Sequence, residues 1–282
     1  MSVPVSIISP YRDAVGFLPG LIATVRQQTH RHWELLLIND DSRDGGADLV
    51  RSAARDDPRI RSLQAPVRPP GTPQGPWWPR NLGLASASHE LIAFLDVDDR
   101  WHPAKLQRQL QCHGPGGAQV SVTGYARFDP SSETLLGWRL PPPRFGYGRL
   151  RLGNAIPMLT LMMERRLLEE GFRPCPHEDY LCWLNLFREH PGLRCVTLPE
   201  LLAFYAVHGS NLTGSRWQMP RWTYQVYRAH GLGHLASGVS LLPWGLSQLA
   251  AHWRCRHRPL RASLQAGLRA EPPLPLPPAE SS

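Results

Sequence analysis

Several common protein classes are excluded by what this chain has little of. Lysine is nearly absent: Lys105 is the only one, and every other basic residue counted in the charge is arginine. Cysteine is sparse, with Cys112, Cys175, Cys182, Cys195 and Cys255 scattered and no CxxC pair. An odd, dispersed set argues against a disulfide framework or a zinc site and favours a reducing compartment. No apolar run reaches the roughly 18–20 residues needed to span a bilayer. The chain starts directly on a strand-like run with no signal-peptide pattern, so the expectation is a cytoplasmic protein, at most peripheral at the inner face of the plasma membrane. No internal repeat is visible. The arginines are dispersed and sit in no nucleic-acid-binding motif, so nucleic acid is not an expected partner. The formal net charge of +8 instead suits nucleotide phosphates or an acidic membrane surface.

What is present suffices for one large domain with an appendage: 282 residues, 42% of them hydrophobic. Val3 to Ile8, Glu34 to Ile38, Ile60 to Leu63 and Ile92 to Leu95 read as strands. Between them, Ala14 to Gln28, Gly46 to Arg55 and Asn81 to Ala87 read as helices. This alternation predicts a mostly parallel α/β sheet flanked by helices. Pro66 to Pro79 holds six prolines and the Trp77-Trp78 pair, and reads as a loop. Further on, Pro103 to Gln111 and Glu178 to His190 read as helices, and Val120 to Phe128 as a strand. Met158 to Glu170 reads as strand then helix, and Leu198 to Val207 as a helical turn followed by a strand. The character then changes. Arg216 to Arg258 is rich in Trp, Leu, Arg and His and has no acidic residue, with helices expected around Arg221 to His230 and Leu241 to Arg254. Such a segment fits either membrane-surface contact or a helical pair packed on the domain. The expected division is 1–212 for the catalytic domain, 213–258 for a basic helical extension and 259–282 for a proline-rich disordered tail.

Chemistry concentrates at strand ends. The run Ile92 to Leu95 stops and delivers Asp96, Asp98 and Asp99 within four residues. Open α/β sheets place ligands beyond such ends. Like charges crowded there repel, and a hard divalent cation such as Mn²⁺ or Mg²⁺ would relieve the repulsion while holding phosphate oxygens. An acidic turn capping the next helix near Asp99 explains the cluster equally well. Two further ends, Ser9-Pro10-Tyr11 and Asn39-Asp40-Asp41, belong to the same expected edge. Asp40 suits a base or ribose and the Tyr11 ring suits stacking on a base. Arg80, at a helix start, suits a base or phosphates. Asp44 reads as a turn cap.

Taken together, V-S-I-I-S-P-Y, E-L-L-L-I-N-D-D-S-R-D-G, R-N-L-G-L, I-A-F-L-D-V-D-D and H-E-D-Y-L-C-W-L resemble the family 2 glycosyltransferases of the GT-A fold. The resemblance covers about residues 3 to 212 and implies an inverting enzyme that takes a sugar from a nucleotide-sugar, UDP-linked by default. It assigns Ser9, Tyr11, Asp40 and Arg80 to the nucleotide. It matches Asp96 and Asp98 to the D-x-D motif, with Asp98 the metal ligand and Asp99 in support. Asp179 becomes the general base beside Glu178, and His208 in Tyr205-Ala206-Val207-His208 approaches the metal or diphosphate. Implied partners are a nucleotide-sugar donor and a glycan or lipid-linked acceptor at the bacterial surface. The chain departs from the pattern in the bulky Pro76-Trp77-Trp78-Pro79 and in Ala206, where arginine is common. The processive Q-x-x-R-W signature is absent, which implies transfer of a single sugar. Two other classes compete. A nucleotidyltransferase would show a glycine- and lysine-rich loop after the first strand, which Tyr11 to Phe17 lacks. An inactive scaffold would not need the intact acidic motifs.

Overall fold

The computed structural model describes residues 3–208 and 218–257, the last ten of these by backbone alone. In chain order, β1 (Val5–Tyr11), α1 (Leu18–Arg26), β2 (Trp33–Asn39), α2 (Gly46–Asp56), β3 (Ile60–Gln64), α3 (Trp77–Ser86) and β4 (Leu91–Phe94) alternate strictly. The remainder is mixed: β5 (Arg100–Trp101), α4 (Lys105–Leu110), β6 (Val120–Asp129), β7 (Thr134–Arg139), α5 (Tyr147–Leu150), β8 (Leu161–Glu164), α6 (Glu178–Glu189), β9 (Cys195–Ala206), α7 (Gln218–Ala229) and α8 (His234–His257). Short 3₁₀ turns at Met158–Thr160 and Arg165–Leu168 flank β8.

One sheet runs β3-β2-β1-β4-β8-β6-β9-β5, with β7 paired to β6. The first four strands are parallel, and β8 joins β4 antiparallel. Strand alternation sorts the core into two faces. Ile8, Leu36, Ile38, Ile92 and Phe94 lie on one, with α3, α6 and α7 over them. Val5, Ile7, Leu35, Leu37 and Ala93 lie on the other, with α1, α2 and α4. Pro10 is tolerated inside β1 because β4 pairs only as far as Ile8, so that side of the strand is already an edge. The glycine of R-N-L-G-L has a steric reason. A Cβ on Gly83 would lie 2.5 Å from Ile8 Cγ2, so only glycine lets α3 settle onto β1.

The structure departs from the sequence reading in several places, among them Met158 to Glu170, where a short strand lies between two 3₁₀ turns and no longer helix follows within that stretch. α3 starts at Trp77, not Asn81, because Pro76 and Pro79 fall at its cap and first turn, where no N–H is missed. The expected helical turn near Leu198 is instead part of a continuous β9. Pro199 and Glu200 are looped out there, as Thr123 of β6 pairs with Leu198 and Gly124 with Leu201. The short strands β5 and β7 were not foreseen. α8 begins at His234, seven residues before the expected Leu241. The boundary at 212/213 and the tail 259–282 lie outside the described residues. No helix among the described residues is long and apolar enough to cross a membrane.

Candidate active site

Because β1, β2 and β4 run in parallel, their C-terminal ends share one edge. The backbone N–H of Asp40 donates to Tyr11 O at 2.9 Å, which joins the first two turns. Asp44 caps its own turn through Gly46 N at 2.9 Å and accepts from Val15 N at 2.6 Å. It is therefore a scaffold for this edge, as its sequence context suggests.

The acidic turn after β4 divides its carboxylates by environment. Asp99 is buried, and its Oδ1 accepts the N–H of Ala206 at 2.9 Å. This bond ties the end of β9 to the acidic turn and carries His208 to it. His208 Nε2 lies 2.7 Å from Asp98 Oδ2, and Phe17 stacks on the His208 ring with centroids 5.6 Å apart. Burial and the neighbouring Asp96 push the Asp98 carboxyl above its ordinary range, against the opposing hydrogen bond from His208. Burial, Asp98 and Asp96 push Asp99 well above it. Negative charge is thus over-concentrated, the condition a divalent cation relieves. Among the described residues no three His, Cys, Asp or Glu groups converge. Asp98 and His208, 2.7 Å apart, are the side chains here that could hold a cation, with Asp96 close to Asp98. One or two carboxylates suit Mg²⁺ or Mn²⁺, whose remaining positions go to phosphate oxygens and water.

Arg80 is not at the open edge. It is 4% exposed, and its guanidinium bridges Asp96, with Nη2 2.5 Å from Oδ1, and Glu178 through Nη1. Its expected role at a base or phosphate is replaced here by a link between two acidic motifs 82 positions apart in sequence. Glu178 is buried, and burial, opposed by Arg80 and reinforced by Asp179, pushes its carboxyl up to about 7. Asp179, one position on, is half-buried and reaches solvent. Asn154 Nδ2 donates to Asp179 Oδ2 at 2.8 Å, and the N–H of Tyr180 donates to Oδ1 at 2.7 Å. Both carboxylates open α6, where the helix dipole favours negative charge. His177 precedes them in the left-handed region at φ 57° and packs edge-on against Trp222 of α7. Tyr180 and Trp183 are core residues, as expected.

At the nucleotide end the placements are mixed. Asp40 pairs with Arg68 at 2.5 Å, and Arg68 also donates to Gly75 O and Gln74 Oε1. Trp77 and Trp78 donate their indole N–H groups to Pro73 O and Pro66 O. The proline-rich loop is therefore stapled down beside Asp40. Ser9 is fully buried, and its Oγ has no hydrogen-bond partner among the described residues. The Tyr11 ring is 2% exposed and packed in the core with Leu18 and Val50, so it is not presented for stacking on a base. Sequence reasoning missed Arg68, Asn154 and Phe17. Arg68 and Asn154 lie in irregular segments where no periodicity or motif marks them, and Phe17 sits at the cap of α1, just ahead of the buried residues whose spacing marks the helix.

Comparisons with known proteins bear on the family and the fold. The family profile described as glycosyl transferase family 2 matches residues 6–171. The putative teichuronic acid biosynthesis glycosyltransferase TuaG of Bacillus subtilis (strain 168) is 28% identical over 228 residues, covering 79% of this chain and 87% of that protein. The Escherichia coli UDP-Glc:alpha-D-GlcNAc-diphosphoundecaprenol beta-1,3-glucosyltransferase WfgD is 28% identical over 215 residues, covering 76% and 81%. Two solved structures are similar in fold. S. aureus TarS 1-349 in complex with UDP-GlcNAc has a TM-score of 0.63 at 17% identity, covering 94% of this chain and 78% of that one. Mannosyltransferase PcManGT from Pyrobaculum calidifontis, in complex with GDP-Man and Mn2+, has a TM-score of 0.62 at 18% identity, covering 96% and 80%. The expected GT-A architecture is the one observed.

Proposed function

The chain belongs to glycosyl transferase family 2, and from that premise we propose that it is a metal-dependent, inverting enzyme that moves one sugar from a UDP-sugar to a hydroxyl of a lipid-linked surface-glycan precursor. The observation that carries this reading is the division of carboxylates along one edge. Asp96, Asp98 and Asp99 crowd the β4 end, Glu178 and Asp179 open α6, and buried Arg80 bridges the two groups.

In this reading Asp98 and His208 would hold the cation, with Asp96 fixed by Arg80 beside them. A bound Mn²⁺ or Mg²⁺ would supply positive charge against the leaving nucleoside diphosphate. Asp40 and Arg68 receive the nucleoside, and the backbone turn at Ser9 and Tyr11 shapes its pocket. Asp179 is the base. It is open to solvent and held in one orientation by Asn154, whereas Glu178 is enclosed and engaged by Arg80. Asp179 takes the proton of the acceptor hydroxyl as that oxygen bonds to the anomeric carbon. The bond from that carbon to the diphosphate oxygen breaks on the opposite face, and configuration inverts. No enzyme nucleophile is needed. The UDP donor and the lipid-linked acceptor follow the relative WfgD, whose name carries UDP-Glc and a diphosphoundecaprenol acceptor.

The deciding experiment is a screen of nucleotide sugars with lipid-linked diphosphate acceptors, read as nucleoside diphosphate release with Mn²⁺, with Mg²⁺ and with chelator. Release from a UDP-sugar that stops on chelation is the expected result. Release from none, or release indifferent to chelation, defeats the reading.

A further inference from the structure

α8 wears its amphipathicity inside out. A surface helix ordinarily turns its apolar stripe to the core. Here Ser237 is fully buried, while Leu235, Val239, Leu242 and Leu246 are 65–88% exposed. Their spacing of four, three and four residues puts them on one helical face. α8 lies against β7, where Leu135 and Leu136 are about half exposed, and Ser247 Oγ donates to the carbonyl of Leu152. Exposed apolar side chains are thus present on both of two elements that meet, although they lie about a hundred residues apart in sequence.

Acidic side chains are few around this face: Glu133, just before β7, pairs with Arg100 at 3.4 Å, and Asp129 stands opposite Thr134. Residues 134–163 contain no Asp or Glu, and neither do residues 201–270. The first stretch carries four arginines, at 139, 144, 149 and 151. Arg151, next to the Leu152 that α8 engages, is exposed. A second copy of the chain would bring arginine against arginine. An anionic lipid surface offers complementary charge outside and hydrocarbon beneath.

We propose that the α8–β7 face docks on an anionic bilayer, with Leu235, Val239, Leu242 and Leu246 entering the headgroup–acyl boundary. It goes beyond the donor and acceptor assignments and does not depend on them.

The test uses the full chain and sedimentation with vesicles of phosphatidylglycerol mixed into phosphatidylcholine, against phosphatidylcholine alone. Binding to the anionic vesicles and not to the neutral ones is expected. The double variant Leu242→Glu/Leu246→Glu should weaken it about tenfold or more. Arg151→Gln should weaken it by about fivefold. Both sites are exposed, so circular dichroism should match the parent. Equal binding to both vesicles, no binding to either, or binding indifferent to the leucine variants overturns the proposal. Concentration-dependent dimerisation by light scattering, abolished by the leucine variants and without vesicle binding, would assign the face to a second copy. The readout needs no turnover, so failure of the proposed reaction leaves it intact, and the reverse holds too.

Discussion

The two acidic ends of the site are built from different halves of the sheet, and the difference separates their chemistry. On the parallel half, Asp96, Asp98 and Asp99 follow one strand within four residues, and each engages a different partner. Burial, with their mutual repulsion added, raises Asp98 and Asp99. On the mixed half, Glu178 and Asp179 are adjacent in sequence yet meet different surroundings. One is enclosed and engaged by Arg80, and the other is oriented by Asn154 and open. Carboxylates of one kind therefore separate into candidate cation holders at Asp98 and Asp96, a structural anchor at Asp99, an enclosed partner at Glu178 and a candidate base at Asp179. What separates them is the company each keeps, with Arg80 as the joint.

The sharpest test of that division is a pair of isosteric substitutions. Asp179→Asn should lower kcat by about 10²–10⁴-fold, the usual contribution of a positioned base, with donor affinity unchanged by calorimetry. Asp98→Asn should instead lower metal-dependent donor affinity, by at least about tenfold. Exchanged phenotypes would reverse the roles of the two halves.

Next in size is the joint itself. Arg80→Met removes the cation between two carboxylates and leaves buried Glu178 without its partner. Breaking a buried pair in this way costs about 3–5 kcal/mol, to be read as a lower denaturation midpoint in urea. Arg80→Lys keeps the charge but not the two-pronged geometry. It should recover part of the stability and less of the activity. If Arg80→Met folded as stably as the parent, the two halves would be independent.

The contrast also explains what was legible beforehand. The parallel half was readable because each strand is a short apolar run closed by polar turn residues, and its alternation is strict. Its acidic ends could be aligned at one edge from topology alone. The Glu178-Asp179 helix start was readable from motif and dipole. Arg80 stands out in the sequence, but its partners do not. Guanidinium chemistry fits phosphate and carboxylate equally, and only burial against Glu178 distinguishes them. Tyr11 shows the same limit, since a ring that suits stacking equally suits a core. β9 was misread because Pro199 looks like a strand end, and the bulge that accommodates it needs its partner strand to be seen. Arg68 sits among prolines, where no period exists to read. The outward stripe of α8 was partly visible as a basic, tryptophan-bearing segment. Its junction with β7 is long-range and leaves no local signal.

The smallest expected effect concerns protons. Burial raises the Glu178 carboxyl from 4.5 to about 7. Between those values the folded state keeps a proton that the unfolded state has released. Stability from this group is therefore complete below the unfolded value, and is lost as pH rises through about 7. Glu178→Gln holds the protonated shape at every pH. Melting temperatures measured across that window should show the parent falling relative to Glu178→Gln as pH rises. An opposite trend, with the parent gaining on the variant toward high pH, would mean that Arg80 outweighs burial and keeps Glu178 ionised. The enclosed carboxylate would then carry full negative charge beside Asp179, and the contrast between the two would rest on access to solvent alone.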